Sequence, residues 1–85
     1  MSRPMSGLQR PKQPMPAFVK NALEARRLMD AYRDRPAYQQ DEYLGWINRA
    51  KLGPTRQARL AQMLEELESG ARYMNEAWQP AAKAQ

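Results

Sequence analysis

The sequence predicts a small all-α protein, a bundle of three helices followed by a short fourth helix at the C-terminal end. Apolar residues recur at intervals of three and four, which is the period of one helix face. Prolines and glycines stand where these periodic stretches end. The alternation of apolar and polar residues that is typical of strands does not occur, and no hairpin signal interrupts the pattern.

The 85 residues allow one domain. Residues 1–15 contain three prolines, one glycine and three basic side chains but no acidic one. Such a composition buries too little apolar surface to offset the entropy lost on ordering, so we predict a disordered basic tail. We interpret it as a solvated leader, with a contribution to anion binding as the alternative. A single helical domain is expected over residues 16–78 and a frayed tail over residues 79–85.

The first predicted helix begins near Pro16 and ends at Arg35. Proline is tolerated in the first turn of a helix, whereas Pro36 disfavours helical backbone at the residue before it. One face of this helix is formed by Phe18, Ala22, Ala25, Met29 and Tyr32. The four-and-three spacing of these residues predicts that this face packs against the core.

The second predicted helix spans residues 36–52. Its apolar side is formed by Tyr43, Trp46, Ile47 and Ala50. Gly45 costs about 1 kcal/mol relative to alanine inside a helix, so it either admits a second helix at close range or lies on the surface. Gly53 is expected in the left-handed conformation that ends a helix, and Pro54 prevents its continuation.

The third predicted helix spans residues 54–69 and ends at Gly70. Its apolar stripe is formed by Leu60, Met63, Leu64 and Leu67. The short fourth helix is predicted over residues 71–78 and ends before Pro80. Its apolar side is formed by Tyr73, Met74, Ala77 and Trp78.

The charges of the third predicted helix oppose its dipole. Arg56 and Arg59 lie near the positive N-terminal end, and three glutamates lie near the negative C-terminal end. Each such charge costs roughly 0.3–1 kcal/mol unless another group compensates it. Either carboxylates of the neighbouring helices pair with the arginines, or an external anion binds to them and to the N–H groups of the helix start. The internal candidates are Asp41, Glu42 and Glu24.

The corner between the second and third helices is therefore the candidate binding site. Its residues are Trp46, Lys51, Thr55, Arg56 and Arg59. We expect the Thr55 hydroxyl to cap a nearby N–H group. Trp46 and Trp78 each have two interpretations, a core side chain with its indole at the edge or an exposed binding anchor.

Catalysis and metal binding are not expected. The sequence contains no histidine and no cysteine, which removes the commonest metal ligand and the usual general base. Glu65 and Glu68 share a helix face, but nothing else in the sequence converges on them. We therefore expect a protein that is not an enzyme and that holds no cofactor or metal.

The stretch from Trp46 to Arg59 resembles the bacteriocin-protection family, the YdeI/OmpD-associated proteins. The matching residues are Trp46, Ile47, Ala50, Lys51, Thr55, Arg56 and Arg59, with Ala22, Leu23, Tyr32, Glu42, Tyr43 and Gly70 around them. The resemblance covers about residues 16–70, the helical domain only.

This resemblance implies a link to stress tolerance and to resistance against antimicrobial peptides, an association with an outer-membrane porin, and no enzymatic activity. Longer members carry a separate N-terminal domain that has no counterpart in this sequence. Pro54 replaces the glutamate that usually precedes the Thr-Arg pair. That replacement removes a favourable negative charge from the helix start.

Two functional hypotheses follow. The first is a non-enzymatic interaction module that binds an acidic protein or another anionic partner at the corner; the net charge of +5 favours such partners. The second is nucleic-acid binding, because the two helices around the corner resemble a helix-turn-helix with Thr55, Arg56 and Arg59 near the start of the recognition helix.

No apolar run approaches the ~20 residues that span a bilayer, and the N-terminus lacks a secretory h-region, so we expect a cytoplasmic protein. The oligomeric state stays open.

Overall fold

The computed structural model describes residues 13–79, which form four helices and one two-stranded hairpin. The elements are α1 (Ala17–Ala25), α2 (Met29–Asp34), α3 (Ala37–Arg49), α4 (Gly53–Ser69), β1 (Arg72–Tyr73) and β2 (Glu76–Ala77). The predicted helical fold class is confirmed. Two of its elements differ from expectation, because the first predicted helix is divided into α1 and α2 and the last is a hairpin. Of the tails predicted over residues 1–15 and 79–85, residues 1–12 and 80–85 lie outside the described residues.

The division between α1 and α2 occurs at Arg27, whose φ of 59° lies in the left-handed region. The N–H of Leu28 donates to the carbonyl of Leu23 at 2.8 Å, and the N–H of Arg27 donates to that of Glu24 at 3.1 Å. These two bonds form a Schellman motif, which ends a helix and turns the chain. Leu23 and Leu28 are both buried, so their apolar contact stabilises the break. An arginine is uncommon at this position, which is why the sequence predicted one continuous helix.

The corner between α3 and α4 is formed by Ala50, Lys51 and Leu52. Gly53 was expected to end the preceding helix, but it is the first residue of α4, and Pro54 lies in the first turn of α4. Proline is favourable there because the N–H that it lacks would have no helical partner. The predicted end of α4 is confirmed, since the next residue is a left-handed glycine.

The segment after α4 forms a hairpin instead of the predicted fourth helix. The paired residues are Arg72 with Ala77 and Tyr73 with Glu76. Met74 and Asn75 lie at the turn with φ values of 50° and 68°. Positive φ at both central residues is the requirement of a type I′ turn and is incompatible with a right-handed helix.

The core lies among the four helices. Its buried members are Val19, Leu23, Leu28, Tyr32, Tyr43, Leu44, Ile47, Leu60, Met63, Leu64 and Leu67. Of the face predicted for the first helix, Tyr32 is buried, whereas Ala25 is exposed because α1 turns Val19 and Leu23 towards the core instead. Within residues 13–79, no helix combines the length and the apolar character needed to cross a membrane.

The segment that precedes α1 lies against α3. The backbone N–H of Gln13 donates to the Asp41 carboxylate at 2.8 Å, and the Asn48 amide donates to the Pro14 carbonyl at 3.0 Å. Gly45 is buried between these two contacts, and a Cβ atom there would lie 3.4 Å from the Gln13 side chain. Gly45 therefore admits this segment and not the second helix that the sequence suggested.

Candidate functional site

The start of α4 carries a partial positive charge that no neighbouring side chain of its first turn offsets. No side chain caps this helix, and its first turn contains no acidic residue. The N–H groups of a helix start have no helical partners and carry a partial positive charge. Lys51 and Leu52 are both exposed beside it, Leu52 with 67% of its surface accessible. The corner therefore presents a cation, a helix N-terminus and an apolar side chain together.

Arg56 and Arg59 bind the end of α3. Nη2 of Arg56 donates to the Ala50 carbonyl at 2.9 Å, and Nη1 of Arg59 donates to the Trp46 carbonyl at 2.7 Å. The N–H of Ala50 donates to Ile47 at 3.2 Å, so it does not close the usual helical bond to Trp46. The two arginines thus satisfy carbonyl groups at the negative end of the α3 dipole.

None of the three acids that were candidates to pair with these arginines forms an ion pair with them among the described residues, and two of the acids make other contacts. Asp41 accepts from the Gln13 backbone, and Glu42 accepts from the Tyr73 hydroxyl. Within the described residues, the ion pair present joins Arg26 to Glu68 at 2.9 Å, on the surface. A carbonyl dipole orients a guanidinium group without cancelling its charge. The corner therefore keeps the positive charge of both arginines.

Trp46 and Thr55 support the corner and are only half-buried. Trp46 packs against the core, and the guanidinium carbon of Arg59 lies 5.2 Å from the centre of its ring. This is a cation–π distance, so the indole holds Arg59 in place. Thr55 does not form the expected cap; it is the third residue of α4.

A second polar cluster, which the sequence analysis missed, lies beneath the hairpin. Arg35, Gln39 and Glu66 have 5%, 0% and 3% of their surface exposed. Glu66 is one of the three glutamates near the end of the third predicted helix, and its burial was not predicted from the sequence. It lies three positions after Met63 and directly before Leu67. Its position on the apolar stripe of α4 is therefore the feature of the sequence that indicates burial.

The Glu66 carboxylate accepts four hydrogen bonds. The Tyr43 hydroxyl donates to Oε1 at 2.5 Å, and the backbone N–H groups of Met74 and Asn75 donate to Oε1 at 2.8 Å and to Oε2 at 2.7 Å. The fourth donor is the Gln62 amide, at 3.1 Å from Oε2. Burial by itself raises the pKa of Glu66, but these donors outweigh it and hold the pKa below 4.5. Burial, together with the bond to Glu66, raises the pKa of Tyr43.

Arg35 is buried without a carboxylate at ion-pair distance among the described residues. It donates to the Gln39 side chain at 3.0 Å and to the backbone carbonyl of Glu66 at 2.9 Å. Its guanidinium carbon lies 4.3 Å from the centre of the Trp78 ring. Trp78 is half-buried, so it covers the cation and is not a free anchor.

A family model described as "Bacteriocin-protection, YdeI or OmpD-Associated" matches residues 13–70. The chain belongs to this family. The match includes every residue of the corner and confirms the resemblance seen in the sequence, whereas the hairpin lies beyond it. Neither the curated proteins nor the solved structures contain a match to this member of the family.

Proposed function

We propose that this family member is a non-enzymatic interaction module that binds an acidic segment of a protein partner at the α3–α4 corner. The observation that carries the proposal is the uncapped, acid-free start of α4 with Lys51 and Leu52 exposed beside it. A family named for bacteriocin protection is compatible with a binding role.

The corner favours a partner that is both acidic and apolar. A carboxylate placed at the start of α4 would accept from the N–H groups of the first turn, as anions do at helix N-termini. Lys51 would add a charge at the rim, and Leu52 would contact an apolar side chain of the partner. Rim charges contribute mainly to the association rate and are screened by salt, so we expect binding that weakens as ionic strength rises.

The nucleic-acid hypothesis has less support. Arg56 and Arg59 would have to reach base edges or phosphates, but both are half-buried and donate to carbonyls of α3. Duplex DNA therefore serves as the competing ligand in the test.

The test measures fluorescence anisotropy of a short labelled peptide of glutamates around one leucine, at low salt. Lys51→Glu is compared with Lys20→Glu, which makes the same charge change at an exposed position of α1. We expect Lys51→Glu to weaken binding about five- to tenfold and Lys20→Glu to change it less than about twofold, since a tenfold change corresponds to about 1.4 kcal/mol.

Equal effects of the two variants would contradict the proposal, because binding would then follow net charge and not the corner. Binding of labelled duplex without binding of the acidic peptide would also overturn it, in favour of the nucleic-acid hypothesis. A third variant, Leu52→Ser, should weaken the peptide through its leucine without altering any charge.

A further inference from the structure

Three buried polar side chains converge beneath the C-terminal hairpin. Arg35 comes from the end of α2, Gln39 from α3 and Glu66 from α4, so three separate elements supply the cluster. Burying such groups is costly unless each has a partner, and apolar side chains of similar size would stabilise a core as well. Gln39 finds its partners in Arg35 and Tyr38. Glu66, however, accepts from the hairpin, and Arg35 lies against the Trp78 ring that follows it, so these two groups pose the question of what the cluster recognises.

The cluster recognises the backbone of a tight turn. Glu66 accepts from the two consecutive N–H groups at the turn, those of Met74 and Asn75. These contacts use no side chain of the turn. Any polypeptide turn that exposes two adjacent N–H groups can supply the same donors.

Two aromatic rings, one on each side of the turn, complete the recognition. Three residues after the turn, Trp78 lies over the Arg35 guanidinium at 4.3 Å. On the other side, the Tyr73 ring meets the Tyr43 ring edge-on, with 5.3 Å between their centres. The required features are thus a tight turn with an aromatic residue shortly before and after it.

The resident hairpin is strained at the turn. Met74 has a φ of 50°, a conformation that costs roughly 1–2 kcal/mol for a residue that is neither glycine nor asparagine. The strands are only two residues long on each side, and hairpins of this kind are marginal in isolation. The contacts with Glu66 and Arg35 therefore supply the stabilisation that the hairpin lacks in isolation.

We propose that Glu66 and Arg35, the latter held in place by Gln39, form a binding site for a tight polypeptide turn flanked by aromatic residues, and that the chain's own hairpin is a displaceable plug of this site. The partner is a second polypeptide that carries such a turn. The site is independent of the corner, since Glu66 lies ten residues beyond Arg56 on α4, roughly 15 Å along the helix.

The test opens the site in the full chain by Asn75→Pro. Proline fixes φ near −65° and has no N–H, so it can neither adopt the observed 68° nor donate to Glu66. The probe is a labelled synthetic peptide with the sequence of residues 71–79. Anisotropy titrations compare the wild type, Asn75→Pro, and Asn75→Pro combined with Glu66→Gln, with circular dichroism to verify that each is helical.

We expect the peptide to bind Asn75→Pro at least about tenfold more tightly than it binds the plugged wild type. The added Glu66→Gln should remove most of that gain. A helical Asn75→Pro protein that binds the peptide no better than the wild type would overturn the proposal.

Hydrogen exchange of the wild-type protein provides a second test that needs no variant. A displaceable plug must open while the bundle stays folded, so the Met74 and Asn75 amides should exchange at least about tenfold faster than the amides of Leu60 and Leu64 in the core of α4. Exchange of all four amides at the same rate would show that the hairpin leaves only on global unfolding, and would refute the plug.

Discussion

Three arginine side chains donate hydrogen bonds to backbone carbonyls near the C-terminal ends of neighbouring helices. Arg35 donates to a carbonyl near the end of α4, and Arg56 and Arg59 donate to carbonyls near the end of α3. The C-terminal end of a helix carries a partial negative charge and leaves carbonyls without helical partners, which a guanidinium group satisfies with geometry as well as charge. The Glu66 carbonyl already accepts from the N–H of Gly70, so Arg35 adds a second donor there. Part of the chain's positive charge therefore serves to stabilise the fold.

At the same scale, Glu66 should make stability depend on pH. Because its pKa is lowered from 4.5 in the folded protein, the carboxylate stabilises the fold above about pH 4.5, and that contribution is lost as the pH falls through the folded pKa. Urea unfolding of wild type and Glu66→Gln should differ by about 1.5–3 kcal/mol at pH 7, the range for hydrogen bonds to a charged group, and the difference should shrink as the pH falls through the folded pKa of Glu66. Glu65→Gln, on the exposed face, is the control and should change little.

The left-handed Arg27 gives a second prediction for single residues. Arg27→Gly removes the Cβ penalty at a φ of 59° while the Schellman bonds remain, so we expect the free energy of unfolding to rise by about 0.5–1 kcal/mol. Arg33→Gly, in an exposed position of α2, should instead lower it by about 1 kcal/mol. Loss of stability in Arg27→Gly, measured by urea unfolding, would contradict the assignment of the motif.

Among the elements, α3 has the most varied contacts: it receives the N-terminal segment along one side, Arg56 and Arg59 at its end, and the hairpin near Glu42. Gly45 lies between the two positions of α3, Asp41 and Asn48, that bond to the N-terminal segment. The obstacles to a Cβ atom there are the ends of flexible side chains, Arg49 Nη1 at 3.1 Å and Gln13 at 3.4 Å.

The close approach at Gly45 predicts opposite results for a small and a large substitution. Gly45→Ala should be neutral or stabilising by up to about 1 kcal/mol, because the helix gains propensity and the two side chains can move. Gly45→Leu should displace the N-terminal segment from α3, seen as faster hydrogen exchange of the Gln13 amide. A protected Gln13 amide in Gly45→Leu would show that the contact does not depend on the glycine.

The elements also show what could be predicted from sequence. The start of α3 and both ends of α4 followed from Pro36, Pro54 and Gly70, since these residues restrict the backbone by themselves, whereas α3 ends at Arg49, three residues before its predicted end. The break at Arg27 and the hairpin turn at Met74 did not follow from the sequence, because neither residue has a left-handed preference. Local Schellman bonds hold Arg27 at positive φ, and the long-range bonds that the turn amides donate to Glu66 hold Met74 there. Helix periodicity at Tyr73 to Trp78 was coincidental.

For the whole molecule, the corner residues were predicted from their charge pattern, but their roles were not. The sequence of two successive helices does not show that the arginines of the second lie against the carbonyl end of the first. That geometry explains how helix α4 tolerates arginines near its N-terminus: they stabilise α3. The groups of the corner that stay accessible to a partner are Lys51, Leu52 and the uncapped start of α4.

The central claim is that an acidic partner binds at this corner, and chemical-shift mapping of the ¹⁵N-labelled full chain tests it most directly. Addition of the glutamate–leucine peptide at low salt should shift the amides of residues 51–56 most strongly, and raising the salt concentration should reverse those shifts. Shifts that are largest on α1 or the hairpin, or none at all at low salt, would contradict the claim.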